Sequence, residues 1–299
     1  MRWQWLMFAI VVFGYGFAAA AEWTEFRGPT GQGLVDSALA TQWSKTEHIT
    51  WKQQIPGKGW SSPVILRGRI YLTTAVPTKD NTSNSLRTLC LDSKTGNTIW
   101  DLEIFQQTDP ATLKIHSKNS HASSTPITDG QVLFVHFGNS GTACLSLEGK
   151  VLWKNNELKF KHVHGNGGSP VLVDDVLVVN CDGGDLAFVA ALDRANGHLR
   201  WKRDRPANSR QRFAFSTPLV IESKGAKQIV SPGAGAVVAY RPADGEPIWQ
   251  VMYPGGYSVV PRPVAGHGMV FLSTGYDTPV LLAIKTDGTG DVTESHVAW

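Results

Sequence analysis

The chain has 299 residues, and its 28 lysines and arginines nearly balance its 25 aspartates and glutamates, for a formal net charge of +3. This balance argues against a dedicated nucleic-acid binder, and an apolar fraction of 42% argues against a disordered chain. Charged residues make up only 18% of the chain, which also holds 30 glycines and 16 prolines, a composition that indicates an all-β protein with many turns.

The first segment, residues 1–21, is predicted to be a secretory signal peptide. Arg2 precedes an uncharged apolar stretch from Trp5 to Phe17, and alanines 18–21 offer a cleavage site before Glu22. The alternative is an uncleaved anchor, but the stretch is shorter than the ~20 residues that a spanning helix needs. We therefore predict a periplasmic or secreted protein of the bacterial envelope, without a transmembrane segment after cleavage. Residues 22–48 then form an N-terminal extension.

The rest of the chain, residues 49–299, is organised by a tryptophan that recurs about every 48 to 53 residues. Its positions are Trp51, Trp100, Trp153, Trp201, Trp249 and Trp299. In four units a glycine stands four residues before the tryptophan, as in Gly96 before Trp100, and a small residue stands nine or ten before it. These small residues are Cys90, Cys144, Ala191 and Ala239.

A second marker precedes each unit and consists of a polar residue followed by proline. The pairs are Ser62-Pro63, Thr125-Pro126, Ser169-Pro170, Thr217-Pro218 and Arg262-Pro263. Two short apolar strands separated by a turn follow each pair, so every unit is predicted to contain four strands and no helix. Self-similarity at this period with four strands per unit predicts a β-propeller.

The repeated tryptophans are predicted to hold the blades together. Each indole would pack across a blade interface onto the small residue that precedes it, while the nearby glycine allows close approach of the backbone. Cys90 and Cys144 would then replace alanine in a tight slot rather than form a disulfide.

The repeated unit resembles the pyrroloquinoline-quinone-like (PQQ-like) propeller repeat, which belongs to the WD40-like and quinoprotein-like folds. This repeat occurs in quinoprotein dehydrogenases and in the outer-membrane assembly propeller of Gram-negative bacteria. The resemblance covers residues 49–299. It implies seven or eight blades, so the five units here predict an incomplete propeller and a fragment. Ile49–Ile55 is interpreted as an orphan outer strand. The alternative is a five-bladed ring that this strand closes, although Val297–Trp299 occupies the same position.

Segments that join the outer strand of one blade to the inner strand of the next are expected at the mouth of the axial channel. These connectors are residues 57–62, 116–124, 162–169, 210–216 and 255–262. Loops on a rigid scaffold often carry function, so the candidate ligand-binding residues lie here: Trp60, Asn119, His121, His164, Asn166, Arg212 and Tyr257.

The residues of this rim are compatible with three functional interpretations: a metal site, a PQQ-dependent oxidoreductase and a binding module. A metal site would use His116, His121, His162 and His164, but no closed ligand spacing is present and none is predicted. Resemblance to quinoprotein dehydrogenases implies PQQ held by a vicinal cysteine pair and a tryptophan, together with Ca²⁺. The chain lacks adjacent cysteines and a coherent calcium set, so this oxidoreductase is kept as the alternative.

The favoured prediction is an exported, non-catalytic binding or assembly module without a cofactor. Its partner would be a protein, peptide or polysaccharide of the cell envelope. Two further segments of the sequence can each be interpreted in two ways. Residues 200–212 form either an anion-binding patch or the solvated face of a strand. Asp182–Asp185 is either a calcium loop or a hairpin turn.

Overall fold

The computed structural model describes residues 22–36, 38–206, 209–277 and 279–299, so the predicted signal peptide lies outside the described residues. Within this part, no helix is long and apolar enough to cross a membrane. Antiparallel sheets dominate, and the helical structure of the described ranges consists of α1 (Pro110–Leu113), α2 (Thr293–His296) and one 3₁₀ turn at Gly138–Ser140. The all-β propeller prediction is confirmed.

Each of the first four repeat units folds into one sheet whose strands follow chain order. Blade 1 contains β1 (Val64–Leu66), β2 (Arg69–Pro77), β3 (Asn84–Asp92) and β4 (Thr98–Gln107). Blade 2 contains β5 (Ile127–Thr128), β6 (Val132–His136), β7 (Thr142–Ser146) and β8 (Val151–Asn155). Blade 3 contains β9 (Val171–Val173), β10 (Val176–Asp182), β11 (Ala187–Asp193) and β12 (Leu199–Asp204). Blade 4 contains β13 (Leu219–Ser223), β14 (Ala226–Pro232), β15 (Ala236–Tyr240) and β16 (Pro247–Met252).

The fifth unit departs from this pattern. Blade 5 has three strands, β17 (Val264–Gly266), β18 (Met269–Ser273) and β19 (Leu281–Lys285). Its fourth position is held by residues 297–299 through an Ile284–Val297 bridge. The intervening insertion turns back, and its strand β20 (Gly290–Asp291) pairs in parallel with the outer strand of blade 4. This pairing satisfies part of an edge that would otherwise be left open.

The hydrophobic core lies between successive blades. Val64 and Leu86 of blade 1 share one fully buried cluster with Leu133 and Leu145 of blade 2. A second cluster joins blades 4 and 5. Because a four-stranded sheet has two apolar faces, stacking the blades is what removes both from water.

The tryptophans do cross the blade interfaces, but their partner differs from the predicted one. Trp153 of blade 2 donates from Nε1 to the carbonyl of Arg194 in the β11–β12 turn of blade 3, at 3.1 Å. Its ring lies against Gly197 of that turn, where an added Cβ would come within 2.5 Å of the ring. The small residue Cys144 is instead the cross-strand neighbour of Trp153 inside blade 2.

The same contact recurs along the chain. Three other indoles donate to a turn carbonyl of the following blade, in the pairs Trp51–Ser93, Trp100–Leu147 and Trp201–Pro242. The glycine of each repeat therefore receives the tryptophan of the preceding unit. Trp249 is different, since it donates to Gln228 within its own blade.

The residue before each proline forms a second link between blades. The backbone N–H of Ser62 donates to the Thr125 hydroxyl, that of Thr125 to Ser169, and that of Ser169 to Thr217, at 2.9 to 3.0 Å. Blades 1, 2 and 3 are thus each linked to a serine or threonine of the next blade. Arg262 takes this place in the fifth unit and donates from Nε to the carbonyl of Pro218.

Two smaller expectations can be compared with the structure. Residues 49–55 carry no strand pairing, and Trp51 docks on the β3–β4 turn of blade 1 as the outer-strand tryptophans dock on the blades that follow them. The orphan-strand interpretation stays a prediction. Cys90, Cys144 and Cys181 are buried free thiols.

The N-terminal extension connects blades that are distant in sequence. Trp23 exchanges backbone hydrogen bonds with Ile65 of blade 1, and the carbonyl of Thr24 accepts from Thr128 of blade 2. Glu25 forms an ion pair with Arg262 beside blade 5, at 2.9 Å. These contacts place residues 23–25 against the inner strands, at the axis of the propeller.

Candidate functional site

A cavity of about 720 Å³ lies where the blade connectors converge. All five connectors contribute to its wall, together with Phe26 from the N-terminal extension and Tyr276 from the β18–β19 loop. The connector residues include Trp60, His116, Lys118, Asn119, Ser123, Val163, His164, Gln211, Phe213, Phe215, Tyr257, Ser258 and Val260. The volume lies in the ordinary range for small-molecule sites.

A row of rings follows the wall of this cavity from blade to blade. It runs through His116, His164, Phe213, Tyr257 and Tyr276, with successive ring centroids 5.1, 5.2, 5.5 and 5.8 Å apart. We call these five residues the aromatic arc. The pairs meet edge-to-face or tilted, the arrangement that ring quadrupoles favour. Phe213 and Tyr257 are buried, whereas Tyr276 at one end is 66% exposed.

Trp60 adds a further exposed ring to the cavity. It is 64% exposed and comes from the connector before blade 1, while Tyr276 comes from blade 5. An indole and a phenol at the surface offer large, flat faces for contact with a ligand. The cavity therefore combines a buried aromatic floor with exposed rings from the first and last blades.

The cavity wall carries little charge. Among the residues that the structure describes, its lining includes no aspartate or glutamate, and Lys118 is the one permanently charged side chain there. Burial lowers the pKa of His164, and the neighbouring His116 lowers it further, so this imidazole is neutral near pH 7. Arg210 lies beside Tyr257 but is paired with Asp277, at 2.6 Å. The wall therefore favours uncharged ligands over strongly charged ones.

Four of the predicted site residues line the cavity: Trp60, Asn119, His164 and Tyr257. The side-chain amide of Asn119 is already hydrogen-bonded to its own connector and to the next one. Its amide donates to the carbonyls of His164 and Asn166, and its oxygen accepts from Ser120 and Ser123. It holds two connectors together and shapes the wall.

The other three predicted residues lie outside the cavity wall. Asn166 donates to the Ser124 hydroxyl and packs against Gly138. His121 is half-buried, and its pKa is lowered by burial and by nearby His162. Arg212 lines a separate cavity of about 130 Å³.

Several wall residues were not singled out from the sequence. Phe213 and Phe215 lie in the same connector as Arg212, and the sequence-based prediction named only the charged residue of the three. Alternating phenylalanines in a connector are a usable signal, because a loop seldom buries two rings without a neighbouring surface. Phe26 and Tyr276 had no such signal, since they reach the cavity through long-range folding.

The two weaker sequence features have structural roles. In residues 200–212, four arginines are paired with acidic groups: Arg200 with Asp175 and Asp193, Arg203 with Glu246, Arg205 with Asp182, and Arg210 with Asp277. This segment therefore presents little free positive charge. Asp182 is committed to buried Arg205, and Asp185 caps the backbone N–H groups of Lys161 and Leu186.

Among the wall residues that the structure describes, few could hold PQQ with calcium. Calcium requires several carboxylate or carbonyl oxygens, and the lining holds no carboxylate, while the one asparagine amide is already hydrogen-bonded. Cys90, Cys144 and Cys181 are buried and separate. Among the described residues, no group of three or more His, Cys, Asp or Glu side chains is arranged to hold a metal ion.

Similar propellers are found among solved structures. Quinohemoprotein alcohol dehydrogenase from Comamonas testosteroni gives a TM-score of 0.55 at 12% identity, over 78% of this chain and 42% of that one. The enzyme ADHIIG from Pseudomonas putida HK5 gives 0.51 at 14% identity, over 79% and 40%. BamB from Moraxella catarrhalis gives 0.48 at 13% identity, over 77% and 61%. At these identities the likeness shows the fold alone.

The chain spans about 40% to 61% of the length of these relatives. A comparison with curated proteins gives no match. A family model described as "Outer membrane protein assembly factor BamB" matches residues 31–164 and 89–295, which together extend over most of the chain. With the five PQQ-like blades in place, the chain belongs to this family of PQQ-like β-propellers.

Proposed function

We propose that this protein is a non-catalytic binding module of the bacterial cell envelope, and that its ligand occupies the cavity at the channel mouth. The observation that carries the proposal is the aromatic arc with exposed Trp60, in a wall without carboxylates. A concave, mostly apolar wall with a few polar groups is typical of binding sites. A protein, peptide or polysaccharide of the envelope could supply the ligand.

The composition of the wall supports binding over catalysis. General acid–base chemistry needs a titratable group poised near the working pH. The wall offers two histidines and a lysine but no carboxylate to orient or activate them. The family description, which refers to outer-membrane assembly, supports an envelope location and a role in assembly.

The proposal is tested by adding envelope fractions to the purified protein and measuring its melting temperature. The fractions are the soluble periplasm, extracted polysaccharide and detergent-solubilised membrane of a Gram-negative bacterium. A ligand that binds the folded state raises the melting temperature. We expect at least one fraction to do so for the wild type and for Trp43→Ala, and not for Trp60→Ala.

Trp43 is a matched control, because it is 68% exposed and does not line the cavity. If no fraction has an effect, or if Trp60→Ala responds as the wild type does, the proposed site is wrong. A parallel assay adds PQQ, Ca²⁺, an alcohol and a redox dye. Reduction of the dye would contradict the non-catalytic proposal.

A further inference from the structure

We infer that the ligand of the channel-mouth cavity is a neutral oligosaccharide, or a segment of a neutral polysaccharide. This inference rests on the proposed function, since it names the ligand class of the same cavity. It is carried by three properties of the wall: the exposed flat rings, the exposed polar side chains between them, and the lack of carboxylates.

The rings suit the apolar faces of pyranose sugars. A sugar ring presents C–H groups on its two faces and hydroxyls around its edge, so a flat indole or phenol can cover one face without desolvating the hydroxyls. Trp60 and Tyr276 are 64% and 66% exposed and provide such surfaces on different blades. Large rigid rings also lose little conformational entropy on binding. Two separated platforms favour an extended chain of sugars.

The polar side chains suit the hydroxyls at the sugar edge. Lys118 and Gln211 are exposed residues of the wall, and Ser258, which also lines the cavity, is half-exposed. The amide of glutamine both donates and accepts, and so does a serine hydroxyl. A sugar hydroxyl has the same dual capacity. These groups can therefore fix the orientation of a sugar that the rings hold by contact.

The charge of the wall argues against ionic ligands. Burying a strongly hydrated cation costs free energy unless an anionic group pairs with it, and the described lining residues include no carboxylate. A polyanion would need several free cations, but the guanidinium of Arg210 is already paired with Asp277. Only Lys118 remains. A neutral ligand therefore fits best.

A peptide is less well supported at this place. Extended peptides are usually bound by adding a strand to a free sheet edge. The N-terminal extension already contacts three of the inner strand edges that face the axis, those of blades 1, 2 and 5. Trp23 exchanges two hydrogen bonds with Ile65 at 2.8 Å, and Gln32 accepts from the N–H of Ala265 at 2.7 Å.

The test measures binding of three neutral hexasaccharides by isothermal titration calorimetry: maltohexaose, cellohexaose and chitohexaose. A fourth arm uses a ten-residue peptide of alternating apolar and polar residues. We expect at least one sugar to bind the wild type, and Trp60→Ala or Tyr276→Ala to weaken that sugar by about tenfold or more, as loss of an aromatic anchor does. Trp43→Ala should bind as the wild type does. Melting temperatures verify that each variant is folded.

Each result separates this inference from the proposed function. If no hexasaccharide binds, but an envelope fraction still stabilises the wild type and not Trp60→Ala, the sugar inference is wrong and the binding module stands. If the peptide alone binds and depends on Trp60, the inference is likewise overturned. If a sugar binds Trp60→Ala and Tyr276→Ala as tightly as it binds the wild type, its site lies elsewhere, which also overturns the inference. If neither sugars nor envelope fractions bind, both proposals fall.

Discussion

At the residue scale, one side chain per repeat forms a specific contact with the next blade. The indole of Trp153 hydrogen-bonds to the Arg194 carbonyl and covers Gly197. The sequence predicted that tryptophan and glycine act together, but it did not predict that they come from different repeats. In a periodic sequence, the partner one period away looks the same as the partner in the same repeat.

Another residue-scale feature is His136, which lies at the end of β6 and is 1% exposed. Its Nδ1 is 2.9 Å from the Thr142 hydroxyl, and burial lowers its pKa to about 4. In the unfolded chain an ordinary histidine titrates near pH 6.5. Between these two values the unfolded state binds more protons, so the free energy of unfolding should fall as the pH falls from about 6.5 to about 4.

We predict that His136→Asn flattens this dependence. The asparagine can keep the contact with Thr142 but cannot take up a proton. Over this pH range, the free energy of unfolding of the wild type should fall by up to about 3 kcal/mol more than that of the variant. This difference is measured from the free energies of unfolding in urea at pH 4.5, 5.5 and 7. His267→Asn, which changes an exposed turn histidine, should follow the wild type. Equal slopes for His136→Asn and the wild type would contradict the assignment.

At the element scale, the turn before each outer strand is the receiving part of the blade interface. Gly197 has φ of +76° and faces the ring of Trp153. Gly225, in the β13–β14 turn, has φ of +73° but no atom within 4 Å of an added Cβ. The two glycines have the same backbone requirement and differ in their surroundings.

We predict that Gly197→Ala destabilises the protein more than Gly225→Ala does. In both variants the free energy of unfolding should fall by about 1 kcal/mol, because alanine is strained in the left-handed backbone conformation. Gly197→Ala should lose a further 1 to 3 kcal/mol, roughly the cost of overpacking, because its Cβ displaces the indole. The measurement is the free energy of unfolding in urea. Equal losses in the two variants would show that the glycine does not receive the tryptophan.

Much of the arrangement of strands and turns within each blade could be predicted from the sequence. The polar-Pro marker, the paired apolar strands and the glycine–tryptophan spacing locate nearly every strand, because they are local consequences of strand alternation and turn geometry. An insertion follows β19 in the fifth unit. Its pairing with β16 could not be predicted, since Gly290–Asp291 has no strand pattern and gains its place from an open neighbouring edge.

At the scale of the whole molecule, five blades stack in chain order and the N-terminal extension contacts blades 1, 2 and 5 near the axis. This arrangement brings Trp60, Phe213 and Tyr276 to one cavity, although they are more than 200 residues apart at the extremes. The sequence could place the connectors at the channel mouth. It could not show which connector side chains face the cavity, because that depends on how each loop packs against the next.

The most direct test of the channel-mouth site uses ¹⁹F NMR of protein labelled with 5-fluorotryptophan. The signals of Trp60 and Trp43 are assigned from the spectra of Trp60→Phe and Trp43→Phe. The labelled protein is then titrated with the envelope fraction that raises its melting temperature. We predict that the Trp60 signal shifts or broadens while the Trp43 signal stays unchanged. A stabilising fraction that leaves the Trp60 signal unmoved would contradict a binding site at the channel mouth.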